Sequence, residues 1–558
     1  MRYLSRLASE QFPSIRSAPR SVEAYGASIP VPTDGWFTET NLATMPATQA
    51  ITLDNWFPQP GWVELRRDRI EHCDTGTFEP VETIAPWNGQ ASKRLFAASG
   101  DRIFDVTTDV PSTEVAGLNS ARWQTVNFAT TGNTYLCMVN GVDDPRWFDG
   151  TSWFVPALVI AGGAFAINQI IGINASKNRL WYIFEGSATV GYGDLDSFQG
   201  DVSLFDLGPL FSRGGYLMAM ASWSPDGGAG PDVYAAFISS EGQAAIYVGT
   251  DPDDPTQWSL KGVYNVGEPI GRRCLYEMGA DVALICLDGV LPLSQAMIYE
   301  AASRQKISLT KNIQSAMNEA ARLYRNNFGW QLISYSRGTR VYLNIPVAEN
   351  VEQQQFVMNT LNGAWCRFTG IPANCWEIFN EDVFCGGNDG IVYEADRSGL
   401  YERTESIRFD MECAFNYFGN RGRNKKWTMV RPIYTTDGSV NPGIAVNTDF
   451  QRDAIISVPT SPATTGTSLW DSSIWDSGDV WDSGELRTIT PWTAVTALGY
   501  CASIRLVVDL VHPEPNLRAG RWGVGHWGVA RWGMTRDGAE VDLRVNGFDT
   551  TYERGGYV

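Results

Sequence analysis

Residues 94–106 read RLFAASGDRIFDV, two short runs of alternating apolar side chains on either side of an S-G-D turn. Alternation with a period of two marks a strand with one buried face. A glycine beside Ser and Asp accepts the positive φ that a tight hairpin imposes. The same unit recurs at 134–154 (TYLCMVNGVDDPRWFDGTSWF), 179–192, 232–248 (DVYAAFISSEGQAAIYV), 281–293 (DVALICLDGVLPL), 340–368 and 382–394 (DVFCGGNDGIVYE). These hairpins follow one another at roughly 40–60 residues, the period of propeller blades. Two or three β-sandwiches in series would use the same turns without imposing a period. The recurrence therefore predicts an all-β chain with a β-propeller-like repeat domain at 80–397.

One stretch breaks the rhythm. In SLTKNIQSAMNEAARLYR, residues 308–325, Leu309, Ile313, Ala316, Met317, Ala320 and Leu323 fall mostly three and four apart, which predicts an amphipathic helix, best defined over 312–324, inserted among the hairpins. Residues 1–79, poor in alternation and punctuated by proline, read as an N-terminal arm and its lead-in to the repeats. After about residue 397 the hairpin rhythm stops. Residues 398–558 read as a C-terminal β-rich domain containing two unusual ladders, with Trp470, Trp475 and Trp481 each before an Asp, and Trp522, Trp527 and Trp532 each before a Gly.

The bulk numbers narrow the function. The chain has 558 residues, 62 acidic against 43 basic, for a formal charge of -19, and 12% of it is aromatic. Such a field repels nucleic acid and opposes a protein that grips DNA, while permitting one that DNA slides past. Nine cysteines, widely spaced and never in a CxxC pair, read as free small hydrophobes rather than zinc ligands or disulfides. The longest apolar run, 155–173, is interrupted by Pro156, paired glycines, Asn168 and Gln169, so it reads as buried β-structure and not a membrane span.

Catalytic signatures are scarce. The acidic groups Asp143/Asp144, Asp194/Asp196 and Asp251/Asp253/Asp254 could supply paired carboxylates for glycoside hydrolysis, but each sits in a Pro- or Gly-rich turn where Asp caps the backbone. Three histidines leave few general bases poised near neutrality. GVGHWG at 523–528 has the GxGxxG form but lies inside the Trp-Gly ladder, with no room for a βαβ unit. The sequence is thus read as a non-enzyme without cofactor, metal or catalytic residues. The richest basic tract, Arg421, Arg423, Lys425 and Lys426 followed by Trp427, could touch phosphates or an acidic partner. The Trp ladders could form a subunit interface or a sugar platform.

The segment DGWFTETNLATMPATQAITLDNWFPQPGWVELR resembles the tail hub, nozzle or packaged-DNA-stabilisation proteins of short-tailed bacteriophages. Asp34, Gly35, Pro46, Ala50, Leu53, Asn55, Trp56, Phe57, Pro58, Gly61, Val63 and Arg66 fall as in that group; Arg67 and Asp68 replace its usual glycine. The late WD and WG repeats are similar too. The resemblance implies a virion tail component assembled in the host cytoplasm. It would form a ring, commonly a hexamer, below the portal and adaptor, with a channel that retains genomic dsDNA and then conducts it with only transient, non-specific contact. Within it, Asn55, Trp56, Phe57 and Pro58 are expected to serve packing or assembly. The alternative is a carbohydrate-binding or hydrolysing propeller of a host-recognition apparatus.

Overall fold

The structure is a computed structural model that describes residues 23–223, 234–254, 256–279, 281–298, 304–397, 407–437, 440–452, 460–462, 486–511, 518–519, 530–531 and 542–557. Two lobes share one continuous core: a β-propeller and a pair of facing sheets built from both ends of the chain.

Each of the seven hairpins read from the sequence forms the second and third strands of its own sheet. In the first blade, Val81–Asn88 lies innermost, followed by Lys93–Ser99, Arg102–Asp105 and Ser112–Ala116. Equivalent innermost strands are Gln124–Ala129, Ile170–Ser176, Leu217–Trp223, Leu275–Met278, Gln331–Tyr335 and Ala373–Phe379. Each packs beside the next, and the last packs beside the first, which closes the ring. Six of the sheets have four or more strands. The sheet that starts at Leu275–Met278 has three, and the chain leaves it into helices instead.

The inserted helix expected from the apolar spacing is present as a 3-10 turn at Lys311–Ile313 continued by an α-helix at Gln314–Tyr324. Met317, Ala320 and Ala321 form its buried stripe, and Leu323 is exposed. Of the hairpin glycines, Gly242 shows why the turns need this residue. Its φ is +73°, and a Cβ there would lie 2.5 Å from the backbone of Gly267, where the fourth blade meets the segment leading to the next.

The described part of residues 1–79, from residue 23 on, does more than form an arm. Strand Asp68–Asp74 pairs antiparallel with Ile391–Arg397 and becomes the outer strand of the last blade, so the ring is closed by chain from before the first blade. Gln49–Asp54 and Gly35–Trp36 attach to the outer strand of the sixth blade, Trp365–Thr369, extending that sheet through Ile407–Cys413 and Ala502–Val511 to Gly443–Thr448.

The facing sheet is built on two long strands, Arg423–Thr436 and Leu543–Tyr557, flanked by Ala24–Pro30, Thr493–Gly499, Arg487–Ile489 and the hairpin Trp56–Gln59/Trp62–Leu65. Trp427, Val430 and Tyr434 on one sheet and Phe409, Met411 and Leu506 on the other are buried in the same core. The β-rich C-terminal part is thus a two-layer β-sandwich that borrows strands from residues 24–65. Among the described residues, no helix is long and apolar enough to cross a membrane.

Candidate functional site

The motif that carries the family resemblance folds into the seam between the two lobes. Asn55 has φ +61°, a left-handed conformation that Asn tolerates better than most residues. It is 2% exposed and uses its whole amide. Nδ2 donates to Thr369 Oγ1 (3.0 Å) and the Arg408 carbonyl (2.8 Å), while Oδ1 accepts from Arg66 Nε (2.8 Å) and the Thr369 amide (2.9 Å). One side chain thereby ties the N-terminal segment to the sixth blade and to the C-terminal sandwich.

Trp56 and Phe57 are fully buried. Trp56 meets Phe409 edge-on, and Phe57 lies between Phe368 and the Arg340 guanidinium. Pro58 is buried, and its carbonyl accepts from Asn359 Nδ2 at 2.9 Å. Gly35, also in the motif, has φ +84°, and a Cβ there would lie 2.5 Å from the Trp365 carbonyl oxygen. These residues pack the interior, so within one chain their role is to join the lobes.

The basic tract divides by strand alternation. Arg421 and Lys426 are exposed, Arg423 is half-buried, and Lys425 points into the core. Lys425 Nζ donates to the carbonyls of Asn420, Arg423 and Tyr500 at 2.5, 3.1 and 2.8 Å, and burial lowers its pKa. Of the four-residue patch expected from the sequence, Lys425 is therefore withdrawn from the surface, which Arg421 and Lys426 and part of Arg423 still reach. Trp470, Trp475, Trp481, Trp522, Trp527 and Trp532 lie outside the described residues.

The acidic turns act as caps. Asp143 accepts from the Asn119 and Ser120 amides and from the side chains of Asn119 and Asn140. Asp196 accepts from Thr131, Asp251 pairs with Arg179, Asp253 accepts from Tyr192, and Asp254 accepts from Thr256 and Gln257. All nine cysteines are buried and free.

A cluster the sequence reading did not single out lies on the propeller axis. All seven innermost strands line a cavity of about 310 Å³, which opens into a wider mouth of about 680 Å³ formed by the loops before and between strands. Arg273, just before the three-stranded sheet, reaches the first two blades: Nη2 donates to the Glu82 carbonyl (3.0 Å), Thr83 Oγ1 (2.8 Å) and the Trp123 carbonyl (3.0 Å). Arg122 pairs with Glu82 and Glu349, and Arg272 donates to the Asn140 carbonyl at 3.3 Å. Arg122 and Arg273 both approach the face of Phe328, at 4.4 and 5.0 Å.

Deeper in the axis lie Glu377, Glu277 and Tyr276. Glu377 keeps some accessible surface but is enclosed by the tunnel walls, and desolvation pushes its carboxyl up to about 7, against the opposing pull of the Ile378 amide and Arg273. The available signal was local: an acidic residue in the apolar alternation of an innermost strand (ANCWEIF), and paired arginines in GRRC.

No protein-family model matches the chain, and no curated protein matches it. Among solved structures, the chain is similar to the computationally designed Ika8 protein, at 12% identity over 64% of this chain and 98% of that one, with a TM-score of 0.34. It is also similar to BBS1N in complex with ARL6DN (10% identity, 60% and 97% covered, TM-score 0.39) and to YCF48 bound to D1 peptide (12%, 63% and 99%, 0.34). None of the three bears on what this chain binds.

Proposed function

We propose that this chain is a non-enzymatic structural protein of a short-tailed phage tail, a nozzle or hub that assembles as a ring, commonly of six copies, below the portal and adaptor and retains and then conducts dsDNA. The observation that supports this most is the position of the motif bearing the resemblance. Its residues Asn55 to Pro58 are spent on joining propeller to sandwich, as a structural component requires, and none is presented to a substrate.

The propeller axis is not the conduit in this reading. A cavity of about 310 Å³ crossed by Arg273 at its mouth has no room for a duplex, so the lumen would lie between copies. A ring generated by rotation joins different surfaces of identical chains. A charge of -19 per chain gives such a ring a field that offers the phosphates little hold.

The test is the mass and electron-microscopic shape of the purified chain mixed with its portal and adaptor. A closed ring on the adaptor is the expected result; a strict monomer in their presence overturns the reading. Replacing Trp475 and Trp527 by Ala separates it from the carbohydrate-binding alternative. Lost assembly favours the ring, and lost glycan affinity with intact assembly favours the propeller of a host-recognition apparatus.

A further inference from the structure

We propose that the mouth of the propeller axis is a binding site for a small molecule carrying a carboxylate or phosphate group, received by Arg273 with Arg272 and Arg122 at its rim. The argument starts from charge. Arg122, Arg272 and Arg325 at this mouth each have a carboxylate within 4 Å: Glu82 and Glu349, Glu185, and Glu268 respectively.

Arg273 has none among the described residues. Its three acceptors are two carbonyls and a hydroxyl, all taken by Nη2. Among the described residues Nε and Nη1 have no hydrogen-bond partner, and both keep accessible surface, so they face the cavity space that Arg273 lines. An enclosed guanidinium without a carboxylate in contact is costly, and an oxyanion can accept a charge-assisted hydrogen bond from Nη1, the terminal nitrogen that the protein leaves unused.

The space suits a small molecule rather than a chain. A mouth of about 680 Å³ falls within the range of small-ligand sites, roughly 300–1,000 Å³. The site is also preorganised. Phe328 sits against both Arg122 and Arg273, at 4.4 and 5.0 Å, and a ring face packs the two guanidinium groups without consuming their donors. Glu377, the nearest deeper acid, belongs to the same axis but makes no ion pair within 4 Å of Arg273, so it does not fill the place of the anion.

The experiment is calorimetric titration of the full chain with inorganic phosphate and, in a separate arm, with succinate, at constant ionic strength made up with chloride. At least one of the two is expected to bind the unaltered chain, and the arm that does so identifies the anion class. Arg273→Gln should weaken that binding by about tenfold or more, and Arg272→Gln by a few-fold. Arg272 is exposed and holds only one long carbonyl contact and a solvent-exposed ion pair with Glu185 at 3.6 Å, so its variant keeps the fold even if Arg273→Gln loosens the blades. Circular dichroism checks that each titrated sample is folded. No heat with either anion up to roughly 10 mM, or unchanged affinity in both variants, overturns the assignment.

Discussion

Oδ1 of Asn55 accepts the Nε proton of Arg66 at 2.8 Å, so two residues eleven apart in sequence close the base of the hairpin between them. The first strand of that hairpin carries Trp56 and Phe57, both fully buried. Both partners are buried, and the Arg66 amide also donates to the Asn55 carbonyl at 2.8 Å. The pair places the seam where three parts of the chain meet.

Asn55→Ala should therefore cost far more than an ordinary surface change. It leaves Arg66 Nε and the Thr369 amide without an acceptor, and the Arg408 carbonyl without its donor. Three unsatisfied buried groups at about 1–3 kcal/mol each, with left-handed strain for Ala of about 1 kcal/mol, give a loss of at least roughly 4 kcal/mol. Asn55→Gly relieves only the strain and should recover about 1 kcal/mol of that. Urea unfolding midpoints check both; a loss under about 1 kcal/mol for Asn55→Ala would show that the seam does not depend on this amide.

Glu377 makes stability depend on pH in a defined direction. Its ordinary value is 4.5, and enclosure raises it to about 7 in the folded chain. Below the ordinary value the carboxyl is neutral in both states and imposes no penalty. As pH rises toward about 7 the unfolded chain releases this proton while the folded chain retains it, so stability falls; above that the penalty is constant. Glu377→Gln should match the unaltered chain near the acid end and exceed it by about 1–3 kcal/mol at mildly alkaline pH. Denaturation curves across the range read the difference, and a constant difference at all pH values would refute the role of its ionisation.

Adjacent lysines should respond in opposite ways. Lys425→Met removes the donor for three carbonyls and should cost about 2–4 kcal/mol, seen as a lower unfolding midpoint. Arg421→Ala with Lys426→Ala should change stability by no more than about 0.5 kcal/mol and, if the exposed pair meets phosphates, lower both DNA retention and its salt dependence. Equal stability loss in the two variants would contradict the division of the tract by alternation.

The hairpins were legible because their causes are local. S-G-D at 99–101 and S-E-G at 240–242 carry the turn chemistry, and the flanking alternation needs only neighbouring residues to be read. The helix at Gln314–Tyr324 was legible for the same reason. The basic tract was legible as composition but not as surface. Only its pairing with Thr493–Gly499 and Leu543–Tyr557 decides that Lys425 faces inward and Lys426 outward. Arg273 and Glu377 could not be joined from sequence, because 104 positions separate them and the closed ring alone brings them to one axis.

By itself, the sequence determined the number and place of the hairpins, the inserted helix, the acidic balance and the motif at 34–66, since each follows from side-chain period, turn chemistry or charge within a short window. The tertiary structure decided what they build. Asp68–Asp74 closes the last blade more than 300 residues away, residues 24–65 supply strands to the C-terminal sandwich, and the motif becomes a buried seam. Strand edges carry no address beyond their hydrogen-bonding groups. Which distant edge each one finds is set by the burial that the whole chain can achieve at once.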